Sequence, residues 1–248
     1  MSITGIKDIT ASKSPIIEHM HFESPPVDCL VEKQWVRQMP IFDLVDTSSF
    51  CRAQVEKYIE NKFRTTYGAT LTEYLPFLLT MRCGNQLRGA AGISLGTSGQ
   101  SFFLELYVDL PIEQKLAQIL GRSVDRKKLV EIGNLVATTS GTNKIVFIVL
   151  ASMLHQAGFE WMTFTATKPL LASLEKLGFE YHLLGKADPS RLPSDCRETW
   201  GTYYQNEPQL VAGKLACALD IIEQRKSFFC IQALYKKRIA FLVDQFSQ

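Results

Sequence analysis

Two glutamates and one polar loop are the parts of this sequence best equipped for chemistry. Glu131 stands in Leu-Val-Glu-Ile-Gly-Asn-Leu-Val-Ala (129–137), where it alternates with Leu129, Gly133, Leu135 and Ala137. Read as a strand, that spacing turns its carboxylate toward an apolar face, where it needs a partner or its pKa rises. Glu105 lies in SFFLELYVD (101–109), on the same face of a predicted strand as Tyr107. Both carboxylates are candidates for moving a proton. Residues Ala137, Thr138, Thr139, Ser140, Gly141, Thr142, Asn143 and Lys144 form the third feature, a run of small residues leading into an apolar helix. Amide groups at a helix N-terminus attract anions, because the unpaired N–H donors and the macrodipole act together. Lys144 is open to two readings, a phosphate partner or an exposed side chain. Asn134 reads equally as a substrate contact or as a tie to a neighbouring strand.

These residues need a strand, a loop, a helix and a second strand to hold them. Residues 129–137 are apolar and short enough for a buried strand. Helical spacing of Ile145, Ile148, Val149 and Met153 predicts a helix over 145–157, stopped by Gly158. Residues 159–166 are rich in aromatic and β-branched side chains, as a strand requires, and Pro169 suits the start of the next helix. Upstream, 41–45 reads as a strand and 50–63 as an amphipathic helix with Val55, Ile59 and Phe63 on one stripe. Arg52 and Glu56 are four apart on it and suit a surface pair. Residues 64–75 read as a polar connection. A hairpin is predicted from 75–83 and 86–95 about Gly84-Asn85, then the strand 101–109, then a helix from Pro111 to Leu120. Trp200 and the tyrosines of a polar-aromatic segment over 200–208 either line a channel or cap the core. From Pro208 to Phe246 the spacing predicts a long helical tail. It can dock on its own domain, form a dimer, or touch a membrane or a carrier protein.

Composition narrows the function classes. The chain has 248 residues, 46% hydrophobic and 21% charged, with a net charge of +2. That charge gives no field that would favour nucleic acid. Six cysteines are scattered without a Cys-x-x-Cys pair, which fits a reduced, cytoplasmic compartment better than a disulfide framework or a zinc site. No signal-peptide core stands in residues 1–22, and apolar runs stop short of a membrane span. His19 and His21 read as a solvated pair in a polar arm, so no metal is expected. The expected organisation is an N-terminal arm over 1–39, one domain over 40–210 and a helical extension over 211–248. Nothing in the sequence indicates an oligomeric state.

The order strand, polar loop, helix, strand, helix over 129–179 resembles the thioester-binding half of the GNAT (N-acetyltransferase-like) fold. A narrower resemblance starts at Phe50, Arg52, Val55, Glu56 and Ile59, then Tyr67-Gly68-Ala69 and Leu75-Pro76. FFLELYVDLPIE, VEIGNLVA, WMTFTAT, LEKLGF, ADP and WGTYYQNEP follow in that order. Over roughly residues 42–215 these motifs are similar to the thermostable haemolysin family, bacterial proteins related by fold to GNAT acyltransferases and acyl-homoserine-lactone synthases. Glu131-Ile132-Gly133-Asn134-Leu135 and Trp200-Gly201-x-Tyr203-Tyr204 are its most specific parts.

The resemblance implies an α/β fold with a mixed, mostly antiparallel sheet flanked by helices. It implies acyl transfer from acyl-CoA or an acyl-carrier-protein thioester to a small amine or hydroxyl acceptor. Residues 137–144 would then hold the phosphopantetheine or pyrophosphate, and Glu131 or Glu105 would take the proton. Arg52, Tyr107, Asn134 and Trp200 would meet substrate. Glu131 has a structural reading too, an ion pair with Arg52 or Arg126. Two features depart from the GNAT pattern: only Gly141 remains of its Arg/Gln-x-x-Gly-x-Gly/Ala loop, and Leu174 stands where those enzymes often carry a tyrosine acid. A longer acyl donor fits these departures. Two rival readings stand beside the enzyme, a membrane-perturbing or lipid-binding protein that uses the tail, and an inactive thioester-binding module.

Overall fold

The computed structural model describes residues 39–246. Seven strands form one sheet: β1 (Ile41–Val45), β2 (Phe77–Cys83), β3 (Gln86–Leu95), β4 (Leu129–Ala137), β5 (Trp161–Ala166), β6 (Tyr181–Lys186) and β7 (Gln209–Lys214). Their order is β1-β2-β3-β4-β5-β7-β6. Every neighbouring pair is antiparallel except β4 and β5. The helices are α1 (Arg52–Tyr67), α2 (Ile112–Leu120), α3 (Ser140–Gln156), α4 (Lys168–Lys176), α5 (Ser194–Glu198), α6 (Leu215–Gln224) and α7 (Lys226–Asp244). This is the mixed, mostly antiparallel GNAT-like sheet that the resemblance implies. The predicted arm, with His19 and His21, falls outside the described residues up to Arg37 and Gln38.

Helices cover both faces of the sheet. Val130 and Ile132 of β4, Met162 of β5 and Ile93 of β3 pack beneath α3, α6 and α7. On the opposite face Leu129, Trp161 and Leu210 meet Ile112 and Leu116 of α2, while Leu78, Ala90 and Val136 meet Val55, Ile59 and Phe63 of α1. Strand alternation explains the division up to Ile132, since odd positions of β4 face one way and even positions the other. Val136 breaks that parity. Asn134 takes a left-handed backbone (φ 49°), and the β3–β4 register slips between Ala90 and Gly92. The bulge turns Val136 onto the α1 side and leaves Leu135 exposed. Simple alternation past Asn134 therefore fails.

Two segments differ from expectation. Residues 101–109 form a 3-10 turn over Phe103–Tyr107, not a strand. Carboxylates take the amides that a ladder would have used: Glu105 accepts from Phe102 and Ile112, and Glu131 accepts from Phe103 and Leu104. The predicted long tail is a strand followed by two helices. Leu210, Val211 and Ala212 are buried on both faces because β7 lies between β5 and β6, and a short continuous apolar run carries no period to separate strand from helix. The tail docks on its own domain: Tyr235 donates to the Pro40 carbonyl at 3.1 Å and its ring meets Phe42 edge-on. No described helix is long and apolar enough to cross a membrane.

Candidate functional site

Strands β4 and β5 pair only from Leu129↔Trp161 to Ile132↔Phe164. Beyond Ile132, β4 continues along β3 while Thr165 and Ala166 of β5 pair with β7. The bulge at Asn134 steers β4 away from β5. Backbone groups on the facing sides of this gap lose their ladder partners. A cavity of about 260 Å³ opens through the splay. At one end stand Glu131, Phe103, Tyr107, Trp200 and Tyr203; at the other, Asn143, Phe147 and Leu150 of α3 with Leu170 and Leu174 of α4. It is a passage across the sheet.

Glu131 is the buried carboxylate of that passage, and only 2% of its surface is exposed. Its two oxygens are held apart by two donors, with Phe103 N at 2.9 Å on Oε2 and Leu104 N at 3.0 Å on Oε1. Burial pushes the carboxyl up to about 7; the two amides pull against burial, and the Glu105 charge adds to it. Each oxygen keeps a lone pair for a further donor. A carboxyl poised near neutrality and fixed by backbone is suited to accept a proton. Neither Arg52 nor Arg126 pairs with it: the structural partner is backbone amide.

Glu105 lies outside the cavity lining. Arg126 Nη1 meets its Oε1 at 2.6 Å and Glu113 at 2.7 Å, and the guanidinium stacks 4.5 Å from the Phe102 ring centroid. Burial opposes the Glu105 charge, but Arg126 and the Ile112 and Phe102 amides outweigh it and hold the carboxyl below its usual value. Glu105 thus shapes the 3-10 turn whose amides hold Glu131. Arg52 also lies apart from the cavity: its guanidinium binds Glu56 at 2.6 Å and the Pro76 and Leu75 carbonyls at 2.6 and 2.8 Å. It anchors the segment that runs over the sheet at the cavity mouth.

Asn134 and Tyr107 do line the cavity. The Asn134 side chain accepts from Leu75 N at 3.0 Å, which ties residues 71–75 across the bulge. A Cβ on Gly92 would stand 2.7 Å from Asn134 Oδ1, so glycine makes room for that tie. The Tyr107 and Tyr204 hydroxyls meet at 2.5 Å. Trp200 packs into an aromatic wall with Phe103, Phe63 and Tyr203, at centroid distances of 5.9, 6.1 and 5.2 Å. Gly201 permits the sharp approach that follows, with φ 53° and Tyr67 O only 2.1 Å from where its Cβ would be. Phe63 and Tyr67 escaped the sequence reading as site residues, and Tyr203 was covered there only as one of the aromatics of 200–208 that either line a channel or cap the core. Tyr67-Gly68-Ala69 and the aromatic density of 200–204 were the signals that could have found them.

Among the described side chains of residues 137–144, Asn143 alone lines the cavity. Helix α3 begins at Ser140, five residues before the expected start, because Thr139 caps it: its Oγ1 accepts from Thr142 N at 3.3 Å. Thr138 binds the Arg88 carbonyl, and Ala137 pairs with Gly89 in the sheet. A Cβ on Gly141 would meet only Thr139 Oγ1, at 3.9 Å, so α3 is uncrowded at that position, while Thr142 beside it is buried. Lys144 stands 5.5 Å from the Phe228 ring centroid, with burial first and Arg225 second lowering its pKa. No group of three or more His, Cys, Asp or Glu among the described residues could hold a metal.

Among solved structures, the fold is similar to FeeM, an N-acyl amino acid synthase from uncultured soil microbes. The two are 11% identical, with 72% of this chain and 90% of FeeM covered, at a TM-score of 0.50. The AHL synthase LasI is 8% identical over 72% of this chain and 91% of LasI, at 0.49. BjaI, a CoA-dependent acyl-homoserine lactone synthase, is 11% identical over 81% of this chain and 90% of its own, at 0.47. At such identities the likeness is one of fold. No curated protein sequence matches the chain. The family model for thermostable hemolysin matches residues 45–219, which takes in α1, the 3-10 turn, the splayed strands and the aromatic wall, and the chain belongs to that family.

Proposed function

We propose that this protein is an acyltransferase, moving an acyl group from a CoA or acyl-carrier-protein thioester to a small nucleophile. The observation that carries the reading is the splay of β4 from β5 with a buried, amide-held carboxylate beside it. A thioester needs a slot with exposed backbone donors to polarise its carbonyl, and the nucleophile needs a base within reach. The passage supplies both from opposite ends. The donor would enter between α3 and α4, its phosphates toward the N-terminus of α3 near Gly141 and its acyl chain along Phe147, Leu150 and Leu174. The acceptor would enter from the Trp200 end and meet Glu131. FeeM, which shares the fold, is an N-acyl amino acid synthase, and an acyl-transferring reading is in keeping with that.

In the step so described, Glu131 takes a proton from the nucleophile. The nucleophile then bonds to the carbonyl carbon, the C–S bond breaks, and its electron pair leaves on sulfur. Leu174 offers no proton to the departing thiolate, so solvent at the donor mouth protonates it. The test is thiol release from a panel of acyl-CoA and acyl-carrier-protein donors, with cell extract as the source of acceptor. Release is expected from the wild type, falling about 100-fold or more in Glu131→Gln, the usual scale for loss of a general base. Absence of release, together with absence of a Tm shift for every thioester, would refute the proposal.

A further inference from the structure

The acceptor end of the passage has a definite chemistry. Glu131 projects a carboxylate into it, and Glu73 stands exposed at its mouth. Facing them is a wall of π-systems: Tyr67 meets Tyr203 edge-on at 5.3 Å, and Trp200 packs against Tyr203 at 5.2 Å. The hydroxyl of Tyr203 is engaged with Thr165 Oγ1 at 2.8 Å, so the ring, not the hydroxyl, is what it offers. No Lys, Arg or His is among the described residues that line the cavity. The guanidinium that acts electrostatically on Glu131 belongs to Arg126, which is committed to Glu105 and Glu113 outside the cavity.

Aromatic faces and a carboxylate attract the same kind of ligand, a cation that sheds its water on entry. A ligand carboxylate placed beside Glu131 would instead be buried next to a like charge, without a described cation to balance it. We infer that the acceptor is a cationic amine without a neighbouring carboxylate, its ammonium held between Glu131 and the wall of Tyr67, Trp200 and Tyr203. This rests on the acyl-transfer reading and names the acceptor class for it. The ammonium passes one proton to Glu131, the freed nitrogen bonds to the carbonyl carbon and gives its second proton to solvent, and the C–S bond breaks with the thiolate taking a solvent proton. The products are an amide and a thiol, and Glu131 returns its proton to solvent.

Three probes with a common ring separate the groups: phenethylamine, phenylalanine and phenethyl alcohol. Their binding to the full chain is measured by calorimetry at pH 8 without any thioester, so that the outcome does not depend on turnover. Phenethylamine is expected to bind about tenfold or more tightly than either of the others. Glu131→Gln and Trp200→Leu are each expected to weaken it by a similar factor, with Tm recorded to separate lost binding from lost fold. Phenylalanine or phenethyl alcohol binding as tightly as the amine overturns the inference, as does the absence of amine binding to the wild type. Amine binding without thiol release or a thioester Tm shift from any donor upholds the cation site and sinks the acyltransferase reading, and with it the amine's role as acceptor.

Discussion

Replacing Glu131 by Gln should change the way stability depends on pH, and the size of the change follows from where the carboxylate lies. Burial raises its folded pKa to about 7 from an ordinary 4.5, so the folded state binds a proton there that the unfolded chain has already lost. Stability from this group is fully present below the unfolded value. It is lost as pH rises through the folded value, because the folded state must then hold a charge with little exposure to water. The gap between 4.5 and 7 corresponds to about 3 kcal/mol. Gln has no proton to lose, so its stability lacks this slope. Its amide accepts from one of the Phe103 and Leu104 amides and opposes the other, a cost of about 1–3 kcal/mol that does not vary with pH. The sign of the difference at one pH is therefore uninformative, while its change with pH isolates the carboxylate. Urea unfolding of both proteins across pH 5 to 8 should show the Gln variant gaining about 2–3 kcal/mol relative to wild type. All other titrating groups are common to the two and cancel. A difference that stays flat would refute the claim that burial holds Glu131 near neutrality, and would remove its case as a base at physiological pH.

Gly201→Ala should cost about 3 kcal/mol or more, since its Cβ would collide with Tyr67 O from a left-handed backbone; Tm and urea midpoints measure it, and a loss below 1 kcal/mol contradicts the geometry. The same substitution displaces Trp200 and Tyr203, so amine affinity should fall with it. Arg126→Ala strips Glu105 and Glu113 of their cation and should cost about 3 kcal/mol or more by chemical denaturation. Because Glu105 shapes the turn that holds Glu131, thiol release should fall too, although Arg126 does not line the cavity. Unchanged release in a folded Arg126→Ala protein would show that the turn keeps its shape without Glu105 being paired.

What the sequence revealed depended on how local the physics was. The strand-loop-helix-strand order of 129–166 is a nearest-neighbour pattern of apolar periods and breakers, and it was legible. Glu131 was legible as a carboxylate on an apolar face, but its partners were not. Phe103 and Leu104 lie some thirty residues away, in a segment whose alternation favours a strand. That segment became a turn because two carboxylates took its amides, an interaction no local propensity encodes. Glu105 looked equivalent to Glu131 for the same reason. Only the three-dimensional position of Arg126 separates a structural carboxylate from one that faces a cavity. Tyr181–Lys186 and Gln209–Lys214 eluded assignment as strands because, at a sheet edge and in a doubly buried position, they lack a clean period.

One departure from the GNAT pattern, Leu174, lies in the cavity wall. Leu174, where GNAT enzymes often carry a tyrosine acid, stands with Leu150, Phe147 and Leu170 in an apolar stretch of the cavity wall, at the end proposed for the donor. A tyrosine hydroxyl would place a polar group among these side chains, where an acyl chain longer than acetyl would have to pass. A site made for acetyl can keep the acid; one that threads a longer chain along α4 gives it up and leaves the thiolate to solvent. On that reasoning Leu174→Tyr should narrow donor preference toward short thioesters, and not improve turnover with long ones. Thiol release across donors of increasing chain length measures the shift, and a variant that favours long chains as strongly as wild type would break the connection between Leu174 and the acyl path.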